Sequence, residues 1–192
     1  NEDTRSEFIE KNKLKILRRY QVNAIKAVQK SAQNGNKRFL LEMATGTGKT
    51  LTCAAIIKLF LKTGNAQRIL FLVDRIELEN QAKKSFRQSI GKDYVVKVWK
   101  EDRDNWKTAD IVISTVQSLL ASSRYRDFSP NDFNLIISDE AHRSIGGNAR
   151  AVFEYFTGYK IGLTATPKDF LKNTKQDENS EKEFERRELL DT

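Results

Sequence analysis

At 192 residues with 39% hydrophobic side chains, the chain is long enough to bury one substantial core and too short for two large domains, so one domain is expected. An excess of Lys and Arg (34) over Asp and Glu (26) leaves a net charge of +8, which favours an anionic partner such as nucleic acid. The single cysteine, Cys53, excludes an internal disulfide, no run approaches the roughly 20 apolar residues that span a bilayer, and the first twenty residues are too polar for a secretory signal, so a cytoplasmic protein is expected.

Residues 1–16 read as a polar lead-in. After Arg19, residues 20–34 place Ile25, Val28 and Ala32 at spacings of three and four, with Gly35 able to end the helix in the left-handed conformation. Phe39, Leu40 and Leu41 form a short apolar run that reads as a buried strand. A glycine-rich turn follows, then an apolar helix over 50–61 that ends near Gly64. Short β-branched and aliphatic runs predict further strands at 69–73, 94–98, 111–114, 135–138 and 161–163, with helices between most of them. This alternation is that of an α/β fold with a mostly parallel sheet covered by helices on both faces. Residues 121–132, rich in Ser, Asp and Asn and holding one of two prolines, read as a loop. From Lys168 to Thr192 the chain is highly charged without an apolar face and reads as a linker or tail. The sequence starts at Asn1 and its only methionine is Met43, which suggests a portion of a longer polypeptide.

The strongest chemical signal is Thr45-Gly46-Thr47-Gly48-Lys49-Thr50 between a predicted strand and a predicted helix. Glycines let backbone amides crowd phosphate oxygens, the helix start adds positive potential, Lys49 brings a full charge to the β and γ phosphates, and the Thr50 hydroxyl suits a magnesium ion. The general phosphate-loop pattern has glycine where this chain has Met43, which counts against kinases and small GTPases. The second signal is Asp139-Glu140-Ala141-His142, delivered by a strand at 135–138 to the sheet edge where ligands bind in open α/β folds. There Asp139 is expected to hold magnesium and Glu140 to orient and deprotonate the water that attacks the γ phosphate. The bland alternatives are a glycine-rich turn before a helix and a solvated acidic turn after a strand. His142, the only histidine, is more simply a structural hydrogen-bonding residue than a base, and alone it makes no zinc site.

Met43 to Thr50, Ser138 to His142, and Leu163-Thr164-Ala165-Thr166-Pro167 resemble, in order and spacing, the first three motifs of the second helicase superfamily. The resemblance runs from about Leu17 to Pro167. It implies a RecA-like ATP-binding lobe over 17–167, with ATP and Mg2+ as cofactors and hydrolysis coupled to movement along nucleic acid. In the resemblance Gln21, within Leu17-Arg18-Arg19-Tyr20-Gln21, is the adenine reader, since its amide offers one donor and one acceptor to the base edge. Thr164, Thr166 and His142 take a coupling role. Two segments resemble the family's nucleic-acid contacts: residues 73–81, with Arg75, and residues 114–118, with Thr115 and Gln117. They would hold phosphates without reading bases. The alternatives there are that Arg75 caps a helix or pairs locally with Glu79, and that Thr115 is an ordinary N-cap.

Asp-Glu-Ala-His followed by Arg143-Ser144 and Thr-Ala-Thr-Pro differs from the RNA helicases and is most similar to the R subunit of type I restriction-modification enzymes. Type III subunits and DNA repair helicases stay open as alternatives. The type I resemblance implies duplex DNA, methyltransferase and specificity subunits as partners, no membrane, and a bacterial or archaeal host. It also implies a second RecA-like lobe and a nuclease domain, neither of which is evident in these residues. The chain alone is therefore expected to bind ATP, to hydrolyse it poorly, and not to cut DNA. A nucleotide-gated switch is the alternative of different class; a kinase would need an acceptor-binding lid that is not found.

Overall fold

The computed structural model describes residues 17–44, 46–140 and 149–165. In these residues six parallel strands form one sheet: β1 (Arg38–Glu42), β2 (Ile69–Val73), β3 (Val96–Val98), β4 (Ile111–Thr115), β5 (Leu135–Ser138) and β6 (Tyr159–Thr164). Their spatial order is β1-β6-β5-β2-β4-β3. The helices are α1 (Arg19–Gln33), α2 (Lys49–Lys62), α3 (Ile76–Ile90), α4 (Val116–Leu120) and α5 (Ala149–Tyr155).

From the edge strand β1 the chain steps outward through β2 to β3, then returns through β4, β5 and β6. Parallel crossovers keep one hand, so reversing the direction of travel moves the helices to the other face. The packing follows this rule. On one face Val28 of α1, Ile56, Ile57 and Phe60 of α2, and Phe86 of α3 meet Ile69, Phe71 and Val73 of β2. On the other, Leu119 of α4 with Val152 and Phe153 of α5 meets Leu70, Leu72, Val112 and Ile136. Alternate side chains of a strand point to opposite faces, and every residue of β2 is buried, which explains why Ile-Leu-Phe-Leu-Val is apolar throughout. Strand β1 lies at the edge and alternates instead, with Arg38, Leu40 and Glu42 exposed and Phe39 and Leu41 packed on the first core.

The second face carries an aromatic cluster under the segment from β3 to β5. Trp106 lies with Phe128 at 4.8 Å and Phe133 at 5.5 Å between ring centroids, and Phe133 with Phe156 at 5.2 Å. The Arg68 guanidinium sits 5.1 Å over the Trp106 ring while donating to Lys107 O (2.7 Å) and Ala109 O (3.2 Å). One planar cation thus fastens an irregular segment whose carbonyls have no ladder partner.

Two local expectations change. The strand expected at 94–98 is only Val96–Val98. Tyr94 N donates to Ile90 O (3.2 Å), which continues the turn after α3, and Val95 N donates to Asp110 Oδ2 (2.7 Å). Within 121–132, residues Ala121–Asp127 wind into a 3-10 helix with Ser122 and Ser123 at positive φ. The predicted polar lead-in at 1–16 and the charged tail from Lys168 lie outside the described residues, as do Thr45, His142, Thr166 and Pro167.

Candidate nucleotide site and nucleic-acid edge

The carboxyl ends of the parallel strands all open on one edge of the sheet, and the predicted site residues that lie among the described ones gather there. Between β1 and α2, Thr47 folds back on Ala44: its N–H (3.3 Å) and hydroxyl (2.6 Å) both donate to the Ala44 carbonyl. Gly46 and Gly48 have φ of +78° and +82°, in the left-handed region that favours glycine. At Gly48 a Cβ would lie 2.6 Å from Gln21 Nε2, so a side chain there would be strained by its φ and would have to displace the Gln21 amide. Gly48 is the N-cap of α2, which places Lys49 and Thr50 in the first turn, with their amides at the positive end of the helix.

Gln21 is only 2% exposed and spans two elements. Its Nε2 donates to Thr47 O (3.1 Å) and Gly48 O (3.4 Å), while Oε1 accepts from Arg18 N (2.8 Å). Tyr20 adds a second tether by donating from its hydroxyl to Thr47 O (2.7 Å). The start of α1 therefore holds the phosphate loop through side chains 26 to 27 residues away in sequence.

Strand β5 delivers the acidic pair. Asp139 N donates to Leu72 O (2.9 Å), extending the β5–β2 ladder by one residue, and Glu140 then turns away with φ +52°. A positive φ at a non-glycine residue is strained, and here it aims the Glu140 carboxylate back across the strand ends. Lys49 Nζ donates to Glu140 Oε1 at 2.8 Å, a contact between residues 91 apart in the chain. Burial pushes the Asp139 carboxyl above its ordinary range; Lys49 nearby opposes the shift and the Glu140 charge adds to it. Cys53, in α2 below this cluster, is buried and its thiol is driven far upward by burial and by Asp139, so it is an inert packing group.

Thr164 ends β6, is fully buried, and its carbonyl accepts from Met43 N (2.9 Å). Strand β6 lies between β1 and β5, so Thr164 sits between the phosphate loop and the acidic pair.

The two segments expected to meet nucleic acid open on the same edge. After β2, the Arg75 side chain is 68% exposed, with Nε 3.7 Å from Asp74 Oδ2. Of the local alternatives for Arg75, pairing with Glu79 is not realised, because Glu79 pairs elsewhere; Arg75 does occupy the N-cap position of α3, without a side-chain capping bond. After β4, Thr115 is buried and does serve as an N-cap, accepting from Ser118 N (3.1 Å) and donating to Ser118 Oγ (2.7 Å); Gln117 is exposed. Glu79, which sequence reasoning treated only as a possible partner of Arg75, is 1% exposed on α3. Its Oε1 accepts from Thr115 N (2.9 Å) and its Oε2 lies 2.5 Å from Lys100 Nζ. No local signal marks it, because both partners come from other elements.

A lysine at a helix start facing carboxylates at a strand end, across a parallel sheet that changes direction between them, is the arrangement of a RecA-like P-loop ATPase lobe. Comparison with known proteins gives the family. The model described as "Type III restriction enzyme, res subunit" matches residues 14–169, and the chain belongs to that family. It is 37% identical over 163 residues to the Type I restriction enzyme EcoAI endonuclease subunit of Escherichia coli, a match that covers 81% of this chain and 20% of the relative. Among solved structures, the nuclease-deletion mutant of the Type ISP restriction-modification enzyme LlaGI, in complex with a DNA substrate mimic, aligns with a TM-score of 0.61 at 27% identity. That alignment covers 80% of this chain and 18% of LlaGI. The Sulfolobus solfataricus SWI2/SNF2 ATPase core in complex with dsDNA has the same fold, with a TM-score of 0.68 at 22% identity over 80% of this chain and 32% of that one. The chain thus spans about a fifth of the length of the curated relative.

Proposed function

We propose that this lobe is the ATP-binding half of a DNA-dependent translocase motor, in the endonuclease subunit of a type I restriction enzyme. The observation that carries the reading is the meeting of Lys49 and Glu140 at 2.8 Å beside a partly buried Asp139, at the foot of a loop whose Gly46 and Gly48 adopt the left-handed φ that favours glycine. The residues fit a magnesium–triphosphate group: a left-handed Gly48 opens a cradle, Lys49 has a carboxylate partner that polyphosphate can replace, and the raised Asp139 carboxyl is one that a divalent cation would hold ionised.

In this reading Thr45, Gly46, Thr47 and Gly48 wrap the phosphates with backbone amides, and Thr50 with Asp139 holds Mg2+. When bound, the ion would supply neutralisation of the phosphate charge. Lys49 leaves Glu140 for the γ phosphate, and the released Glu140 orients and deprotonates water. Reading adenine requires the Gln21 amide to exchange a phosphate-loop carbonyl for the base, so base binding and loop release are linked. Thr164, Thr166 and His142 couple this exchange to movement, and Arg75, Gln117 and the Thr115 turn hold phosphates of the track. Rapid hydrolysis needs arginines from a second lobe, so the 192-residue chain binds ATP and turns it over slowly. Methyltransferase and specificity subunits complete the type I assembly, in the cytoplasm of the host.

The test is steady-state ATP hydrolysis by the full-length polypeptide with no nucleic acid, duplex DNA, single-stranded DNA or RNA. Stimulation by duplex DNA supports the translocase. Stimulation by RNA alone, or none, contradicts it.

A further inference from the structure

A buried glutamate in the first turn of a helix is expensive, because an ionised carboxylate leaves water only with strong partners and an apolar side chain would serve the core as well. Glu79 nevertheless occupies such a position on α3, at the strand edge that carries Arg75 and Gln117. Its two oxygens hold two different elements. Oε1 accepts from Thr115 N at 2.9 Å, where β4 passes into α4, and Oε2 meets Lys100 at 2.5 Å, in the 3-10 turn Trp99–Glu101 that follows β3. Lys83 of α3 pairs with Glu101 and fastens that turn to the same helix a second time. The connections after β3 and after β4 are thereby tied to the helix that follows β2, and the Thr115 N–H, consumed by Glu79, serves to orient α4 and with it Gln117.

We infer that Glu79 is a positioning residue for the nucleic-acid grip, with Lys100 as its counter-ion: it sets the spacing between the Arg75 segment and the Gln117 segment so that both engage one track. This rests on the reading of those segments as phosphate contacts. Contacts that hold phosphates without reading bases depend on spacing, and a fixed spacing needs a rigid tie between separate loops. One buried carboxylate that accepts a charge-assisted hydrogen bond from Thr115 N–H at Oε1 and forms an ion pair with Lys100 at Oε2 is such a tie.

The experiment measures ATP hydrolysis by the full-length polypeptide as duplex DNA is titrated, for the wild type, Glu79→Ala and Glu79→Gln, alongside affinity for a fluorescent ATP analogue and the thermal midpoint. The half-stimulating DNA concentration should rise about tenfold for Glu79→Ala and only about threefold for Glu79→Gln, whose amide oxygen still accepts from Thr115 N–H. The maximal rate at saturating DNA and the ATP affinity should stay at wild-type values. An unchanged DNA requirement in Glu79→Ala overturns the inference while leaving the motor reading intact. Parallel loss of ATP affinity, maximal rate and thermal midpoint in both variants also overturns it, since Glu79 would then be a structural residue of the whole fold. A wild type that DNA neither binds nor stimulates overturns the nucleic-acid reading and this inference together.

Discussion

At the amino end of the sheet, Glu154 receives the two terminal Arg38 nitrogens at 2.6 and 2.5 Å and Lys160 at 3.2 Å; at the carboxyl end, Lys49 reaches one oxygen of Glu140 at 2.8 Å, with Asp139 partly buried beside it. The chemical groups are alike and the outcomes differ. The Arg38 guanidinium holds the Glu154 carboxyl far down, at about 2, with help from Lys160. Asp139 moves the other way, because burial outweighs the one lysine it shares with Glu140. The backbone differs too: Arg38, Glu154 and Lys160 all keep negative φ, whereas Glu140 is held at φ +52°. A structural ion pair satisfies its partners within the fold. The other end keeps a carboxyl short of positive charge and a lysine on a replaceable partner, which is the state a cation and a polyphosphate would complete.

Substitutions should separate the two ends. The largest effect belongs to Lys49→Ala, which removes the cation from both Glu140 and the γ phosphate. DNA-stimulated ATP hydrolysis by the full-length polypeptide should fall about a thousandfold, read as phosphate release, while the folded state survives. Gly48→Ala comes next. Its side chain meets Gln21 Nε2 and its φ is unfavourable, so nucleotide affinity, read by titration of a fluorescent ATP analogue, should fall about tenfold or more. Glu154→Ala should leave ATP affinity unchanged and lower stability by about 1 to 3 kcal/mol in denaturant titration, because Lys160 keeps its buried charge without its carboxylate. The pH dependence follows from the direction of the shift. With a folded value near 2 against an ordinary 4.5, the Glu154 contribution is complete above about pH 4.5 and is lost as pH falls toward 2, and Glu154→Ala should flatten acid unfolding in that window.

Much of this arrangement could be read from the chain because its signals are local. Ile69–Val73 and Leu135–Ser138 are apolar runs bounded by polar residues, and both strands fall where those runs predict. The glycine turn before Lys49 and the acidic pair after Ser138 needed no knowledge of the sheet. What was hidden depends on partners distant in sequence. The order of strands sets β6 between β1 and β5, and no periodicity encodes that. Tyr94 and Val95 look like strand residues, but Ile90 O and Asp110 Oδ2 claim their amides first. Glu79 appears as a solvated charge next to Arg75 until β4 and the turn after β3 close over it. Gln21 was legible as a candidate site residue, while its grip on Thr47 O and Gly48 O was not.

The account stands most directly on Glu140 acting after ATP is bound. The decisive measurement is the lifetime of radiolabelled ATP on the full-length polypeptide carrying Glu140→Gln, with duplex DNA present. Hydrolysis should drop by about 10² to 10⁴ while ATP still binds, so that intact ATP stays on the variant long after the wild type has released ADP. An unchanged nucleotide lifetime, with the same product released by variant and wild type, would contradict the hydrolytic site and favour a switch that opens without chemistry.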